Sequence, residues 1–204
     1  MKFEVFVTGP IETNTYLVYS GKEAVVIDPG FSCANAITTR AKELKVEIKL
    51  ILNTHGHWDH ITDNFELQKL TNAKVACGAG DEDRLSKPSD LGWHLPFTLK
   101  ASKPNLLLKD GDEITISREA LRVINTPGHT PGSVCFYSEE DKLLFTGDTL
   151  FAGAMGRTDF PGGDELLINE SLKRLTQLPQ DTKVFPGHGE FTTIKNEKKW
   201  IEQI

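Results

Sequence analysis

Apolar residues in this chain come in short blocks, and the blocks end alike. Val25-Val26-Ile27 runs into Asp28-Pro29-Gly30, and Leu50-Ile51-Leu52 runs into Asn53-Thr54-His55. Leu121-Arg122-Val123-Ile124 leads to Thr126-Pro127-Gly128-His129-Thr130, Leu143-Leu144-Phe145 to Thr146-Gly147-Asp148-Thr149, and Lys183-Val184-Phe185 to Pro186-Gly187-His188-Gly189. Short apolar runs closed by Gly or Pro predict buried strands, and each of these delivers a polar or ligand-type residue at its carboxyl end. Layered α/β proteins build their sites at such ends. The first strands follow one another closely, over 3–7, 15–19 and 23–27, with Ser20-Gly21 as a hairpin turn. Helical patterns fill the intervals at 33–45, 61–70 and 164–178, the last with Leu166, Leu167, Leu172, Leu175 and Leu178 as its apolar set. Together these predict sheets packed on each other with helices outside.

The stretch 81–105 breaks the pattern, with Pro88, Gly92, Pro96 and Pro104 around Trp93 and Phe97. A connection this long is functional or mobile, and its aromatics either cover a cleft or anchor the loop to the core. His94 within it reads as an exposed loop histidine, and Cys135, in Val134-Cys135-Phe136-Tyr137, as a buried strand residue.

Composition narrows the function classes. The chain has 204 residues, 38% hydrophobic and 25% charged, with a formal net charge of −6. An acidic balance disfavours general nucleic-acid binding, which needs basic residues to displace counterions from phosphates. The Lys195-Asn196-Glu197-Lys198-Lys199 run reads as the solvated face of a last helix. No apolar run approaches the roughly 18 residues of a membrane span, and Met1-Lys2-Phe3-Glu4-Val5 lacks a signal-peptide core. The three scattered cysteines, Cys33, Cys77 and Cys135, fit a reducing cytoplasm better than a disulfide scaffold.

The chemistry concentrates in Thr54-His55-Gly56-His57-Trp58-Asp59-His60. Residues two apart in extended chain point the same way, so His55 and His57 can hold one ion. Asp59 and His60 are adjacent, so both reach a second ion only if the backbone turns, and a helix starting just after the cluster provides that turn. Of the six histidines, five lie in the strand-end motifs. They divide into His55, His57 and His129 for one ion and Asp59, His60 and His188 for the other. Asp148 supplies a carboxylate suited to bridging. Nitrogen and oxygen ligands suit two divalent ions, zinc, iron or manganese, without choosing among them, and the open positions left on each ion mark a catalytic centre.

Asp28, the heptapeptide, His129, Asp148 and His188 together resemble the metallo-β-lactamase superfamily over essentially the whole chain. The resemblance implies an α/β fold, a four-layer αββα sandwich, with a dinuclear site at its edge. Gly147-Asp148-Thr149-Leu150-Phe151, Gly156-Arg157-Thr158-Asp159-Phe160 and Pro186-Gly187-His188-Gly189 resemble glyoxalase II, the hydroxyacylglutathione hydrolases. Typical glyoxalase II enzymes carry a further C-terminal helical domain that provides much of the glutathione contact. This sequence ends at Ile204, which implies one domain over 1–204 without it.

The activity so implied is hydrolysis of a thioester such as a hydroxyacylglutathione, by a hydroxide that bridges the two ions and is oriented by Asp59. The partner is then a small molecule, not a nucleic acid or a membrane. A thiol of pKa ~8.5 leaves as thiolate without a strong general acid, and the sequence reserves no residue for one. Asp28 is the candidate to orient ligands, with Thr54 and Thr130 beside them, although Asp before Pro-Gly also forms simple turns. Arg157 either binds a substrate carboxylate or pairs with Asp159 to brace its loop. The Gly156–Phe160 segment also resembles persulfide dioxygenases, which use one iron on residues matching His55, His129 and Asp148.

Overall fold

The computed structural model describes residues 1–204. Its first sheet begins with β1 (Lys2–Thr8), β2 (Thr13–Ser20) and β3 (Glu23–Ile27), an antiparallel meander. The second hairpin pairs Ser20 with Glu23, so its turn is Gly21-Lys22, one residue later than the predicted Ser20-Gly21. The chain then crosses over α1 (Ala34–Leu44) to the parallel strand β4 (Glu47–Asn53). Next come α2 (Trp58–Ile61), α3 (Asn64–Thr71), β5 (Lys74–Gly78), α4 (Glu82–Ser86) and β6 (Leu106–Leu108). β3 to β6 are parallel neighbours in the order β1-β2-β3-β4-β5-β6.

The second sheet comprises β7 (Glu113–Ile116), β8 (Glu119–Asn125), β9 (Val134–Ser138), β10 (Leu143–Gly147), β13 (Lys183–Pro186) and β14 (Thr192–Thr193), in the order β14-β13-β10-β9-β8-β7. β11 (Leu150–Phe151) and β12 (Ala154–Met155) form a small ribbon, and α5 (Glu165–Leu175) and α6 (Ile194–Ile201) cover this sheet. β8, β10 and β13 run the same way, because β9 is antiparallel to β8 and β10 while β10 and β13 are parallel. Their carboxyl ends therefore emerge together.

Strand alternation divides the apolar side chains among three layers. Tyr16, Val18, Val25, Ile27 and Leu52 face Val123, Phe136, Phe145 and Phe185 between the sheets. The alternate residues Leu17, Val26 and Ile51 meet Ile37, Ala41 and Leu67 of the helices on one side, while Cys135, Leu144 and Val184 meet Ile168, Leu172 and Ile201 on the other. Both faces of each sheet are buried, which is why the strands read as continuous apolar runs. Helix, sheet, sheet and helix follow in four layers, as expected for an αββα sandwich.

Local differences from the sequence reading have physical causes. The predicted helix over 61–70 is two helices. The Thr62 hydroxyl bonds back to the Trp58 carbonyl, and the Asp63 carboxylate accepts the N–H groups of Ser32 (3.1 Å) and Ala34 (2.8 Å) at the start of α1. In α5, Leu166 is 77% exposed and Ile168 takes the buried position, because the Asp164 cap and the close passage of Gly128 against Ile168 set the helix phase. The 81–105 stretch starts helical, in α4, and continues without regular structure from Lys87 to Asn105. Cys135 is buried in β9 and His94 is exposed, as predicted.

Candidate metal centre

The seven side chains grouped from the sequence lie at one edge of the sandwich, brought there by both sheets. The turn after β4 carries His55 and His57. The single turn of α2 then swings Asp59 and His60 to the same side, and His129, Asp148 and His188 follow β8, β10 and β13. The ligating atoms of His55, His57 and His129 lie within 4.8 Å of one another, as do those of Asp59, His60 and His188. Asp148 stands between the triads: Oδ2 is 3.6 Å from His129 Nε2, while Oδ1 is 3.3 Å from His60 Nε2 and 3.7 Å from His188 Nε2.

Whether a metal fits can be judged from the spacing and from what the donor atoms lack. Ligands about 2.0–2.1 Å from a tetrahedral ion lie roughly 3.3 Å apart. In the second triad, Asp59 Oδ2 is 3.0 Å from His60 Nε2 and 3.1 Å from His188 Nε2, and the two imidazole nitrogens are 3.3 Å apart. In the first, Nε2 of His55, His57 and His129 are buried without a hydrogen-bond partner, as is Asp148 Oδ1. Buried polar atoms without partners are rare and costly. The donor set fits cations.

Four of the five imidazoles commit Nδ1–H to a partner outside the seven side chains, so that Nε2 is the ring atom turned inward. Asp28 Oδ1 accepts the Thr54 N–H at 2.7 Å, and its Oδ2 accepts the Thr54 hydroxyl at 2.6 Å and His60 Nδ1–H at 3.0 Å. With its proton so committed, Thr54 Oγ accepts His55 Nδ1–H at 3.1 Å. His129 Nδ1–H donates to the Arg157 carbonyl at 2.7 Å, and His188 Nδ1–H to the Ile11 carbonyl at 3.0 Å. Such partners set the direction and basicity of metal-ligating histidines. Asp28 is held in the left-handed region, φ 51°, at the end of β3, which combines the turn and orienting roles.

Electrostatics divide the triads. Burial, and then the neighbouring imidazoles, hold His55 well below the ordinary histidine range and push His57 down to about 3, so both are neutral donors. Burial opposes charge at His60 and His188 too. At His60 the carboxylates of Asp59, Asp148 and Asp28 outweigh it, and at His188 those of Asp59 and Asp148, so both pKa values are raised. Burial likewise opposes ionisation of Asp148, but His60, His188 and His129 bring it down to about 2.

Several residues in the arrangement carry no signal in the sequence reading. Thr13 Oγ1–H donates to Asp59 Oδ2 at 3.1 Å. Asn14 joins the first sheet to the His188 loop, through its N–H to the Gly187 carbonyl (2.7 Å) and its amide to the Pro186 and Gly189 carbonyls (3.1 and 3.0 Å). A Cβ on Gly187 would collide with Asp148 Oδ1 and His60 Cε1, so that loop approaches the centre only as glycine. Proximity to a Gly-His motif that follows a strand of the other sheet is not readable from Thr13 and Asn14 themselves.

A cleft of about 100 Å³ opens onto the cluster, walled by Ile11, Trp58, Leu91, Trp93, Arg157 and Phe160. Of the two readings given the aromatics of the irregular stretch, Trp93 follows the first, while Phe97 holds the loop to the exposed ring of Phe31 and not to the core. Trp93 lines the cleft beside Trp58 (ring centroids 5.8 Å), while Phe97 packs on Phe31 (4.5 Å). The Arg157 guanidinium is half-exposed, forked onto Asp159 with two bonds of 2.6 Å, and stacked 3.8 Å over Phe160.

Residues 8–188 match the family model of the Metallo-beta-lactamase superfamily. The chain is 34% identical to "Hydroxyacylglutathione hydrolase GloC" of Haemophilus influenzae, over 98% of this chain and 96% of that protein. Among solved structures it is similar to the BLEG-1 B3 metallo-beta-lactamase (TM-score 0.89, 35% identity, 97% of each chain) and to TTHA1623 in a di-iron-bound form (0.86, 31%, 96% and 97%). It is also similar to ETHE1 from Myxococcus xanthus (0.82, 30%, 98% of this chain and 82% of that one). Fold, ligand cluster and family model agree: this chain belongs to the metallo-β-lactamase superfamily.

Proposed function

We propose that the protein is a dinuclear metal-dependent hydrolase of thioesters, with hydroxyacylglutathiones as the substrate class. The observation that carries the reading is Asp148, whose two carboxylate oxygens face two separate triads of inward-turned donors. His55, His57 and His129 would hold one ion and Asp59, His60 and His188 the other, with Asp148 shared. Two bound divalent cations, zinc first with iron or manganese as alternatives, supply a Lewis acid and water acidified to near-neutral pKa.

The chain's own residues do the rest. Asp59, steadied by the Thr13 hydroxyl, presents Oδ2 to the space between the triads. Trp58, Trp93 and Phe160 exclude water around the reacting carbonyl, and the small cleft admits the acyl end while the carrier stays on the surface. A thiol of pKa ~8.5 departs as thiolate, so the mechanism requires no buried acid. The likeness to the Haemophilus hydrolase supports the substrate class. Residues 1–204 act as one domain, needing neither nucleic acid nor membrane. The buried free thiols of Cys33, Cys77 and Cys135 suit the cytoplasm.

The test is metal analysis of the purified protein alongside rates for S-lactoylglutathione, a β-lactam and glutathione persulfide. Two ions per chain with thioester hydrolysis is the expected outcome. One iron per chain with oxygen consumption on the persulfide would instead establish a dioxygenase. Asp59→Ala is expected to abolish hydrolysis while circular dichroism shows the folded protein unchanged.

A further inference from the structure

Asp81 follows β5, outside the ligand cluster, and is fully buried. Its Oδ2 accepts the Gly56 N–H at 2.7 Å and the Thr130 hydroxyl at 2.7 Å. Its Oδ1 accepts the Gly132 N–H at 3.0 Å and lies 3.3 Å from Arg84 Nε. Gly56 separates His55 from His57, and Thr130 adjoins His129. Every member of the first triad is thus next in sequence to a group held by this one carboxylate.

The two loops belong to different sheets, so strand pairing does not set their separation. A carboxylate is suited to do so, since it is acceptor-only and can take donors from several directions at once. It has no freedom to lengthen or shift. A Cβ on Gly132 would lie 2.7 Å from Asp81 Cγ, and one on Gly56 would lie 2.5 Å from Arg84 Cβ. Arg84 extends the brace by donating to the Pro161 carbonyl, in the loop whose Arg157 carbonyl orients His129. The Ser133 hydroxyl, 2.7 Å from Thr130 Oγ, completes the set by donating to it.

We infer that Asp81 is a positioning residue that fixes the spacing of His55, His57 and His129 through Gly56, Thr130 and Gly132. Asp28 does the corresponding work for His60. The inference rests on the dinuclear reading above.

The test uses metal-free full-length protein titrated with Co²⁺, followed by visible absorption and by competition with a chelator. His57→Ala identifies the binding step that belongs to the first triad. Asp81→Asn replaces an acceptor oxygen with a donor, and is expected to weaken that step 10–100-fold, about the usual effect of removing a partner behind a ligand. The other step stays within about twofold. Thr130→Val weakens the same step, whereas Thr130→Ser, which keeps the hydroxyl, restores it. Parallel weakening of both steps, no change in either, or equal behaviour of Thr130→Ser and Thr130→Val overturns the inference. If Asp81→Asn does not fold, the Thr130 pair decides. Fewer than two Co²⁺ per wild-type chain would overturn the dinuclear reading itself, and the inference with it.

Discussion

Asp148 illustrates how little a residue's type says about its work. Its carboxylate has no hydrogen-bond partner for Oδ1 in a centre where the other acidic groups are donated to. In Asp148→Asn the second anionic oxygen is lost while the shape is kept. Because each cation contributes several kcal/mol to such reactions, kcat is expected to fall about 100-fold or more, with fewer than two ions retained by metal analysis. Trp93 acts differently, as a half-exposed wall of the cleft. On the proposed function, Trp93→Ala would remove apolar contact open to a bound substrate in ground and transition states alike. KM is expected to rise about tenfold with kcat unchanged, as steady-state kinetics would show. The ligand residues were legible in the sequence because their types are scarce and their spacing is dense. Thr13, Asn14 and Asp81 were not, because single Thr, Asn and Asp residues are commonplace and their partners lie far along the chain.

Among the elements, the α2–α3 junction links stability to the centre. The sequence shows a helical pattern following the heptapeptide, but the Asp63 carboxylate, spent on the first N–H groups of α1, separates α2 from α3. Asp63→Ala leaves those donors without their cap and is expected to cost about 1–2 kcal/mol, read as a lowered denaturant midpoint. Metal affinity should hold, because Asp59 and His60 belong to α2, whose backbone bond from the His60 N–H to the His57 carbonyl (3.1 Å) is independent of Asp63. Neighbouring side chains support α2 from behind: Asn53 donates to the His60 carbonyl at 3.0 Å and accepts from the Asn64 amide at 2.8 Å. Strand positions were legible because apolar runs buried on both faces leave an unbroken pattern. Helix limits were not, since a side chain with a distant partner overrides the local periodicity.

At the scale of the molecule, the centre joins two sheets that elsewhere meet through an apolar core, with polar ties from Ser117 to the Ser20 carbonyl and the Glu23 carboxylate and from the Met1 amino group to Glu119. The Val134 N–H bonds the Thr54 carbonyl at 2.8 Å, and Asn14 reaches the His188 loop, so the site edge is crossed by hydrogen bonds as well. Ligands drawn from both sheets would come together on cations only in the folded chain. A single site at one hundred times its Kd then adds about 2.7 kcal/mol. Chelation is expected to lower Tm by about 5–10 °C, seen by calorimetry with and without EDTA. No helix is long and apolar enough to cross a membrane.

What the sequence determined by itself is local: strands, helices and the kinds of atom delivered at strand ends, because periodicity and residue chemistry act over a few neighbouring positions. The tertiary structure decided which atoms meet. Sheet order places the ends of β4, β8, β10 and β13 at one edge, register aims each imidazole, and Asp28, Asp81 and the Arg157 carbonyl hold loops distant in the chain at ligand spacing. Those pairings depend on how the two sheets pack face to face, and packing of that kind is a property of the whole folded chain.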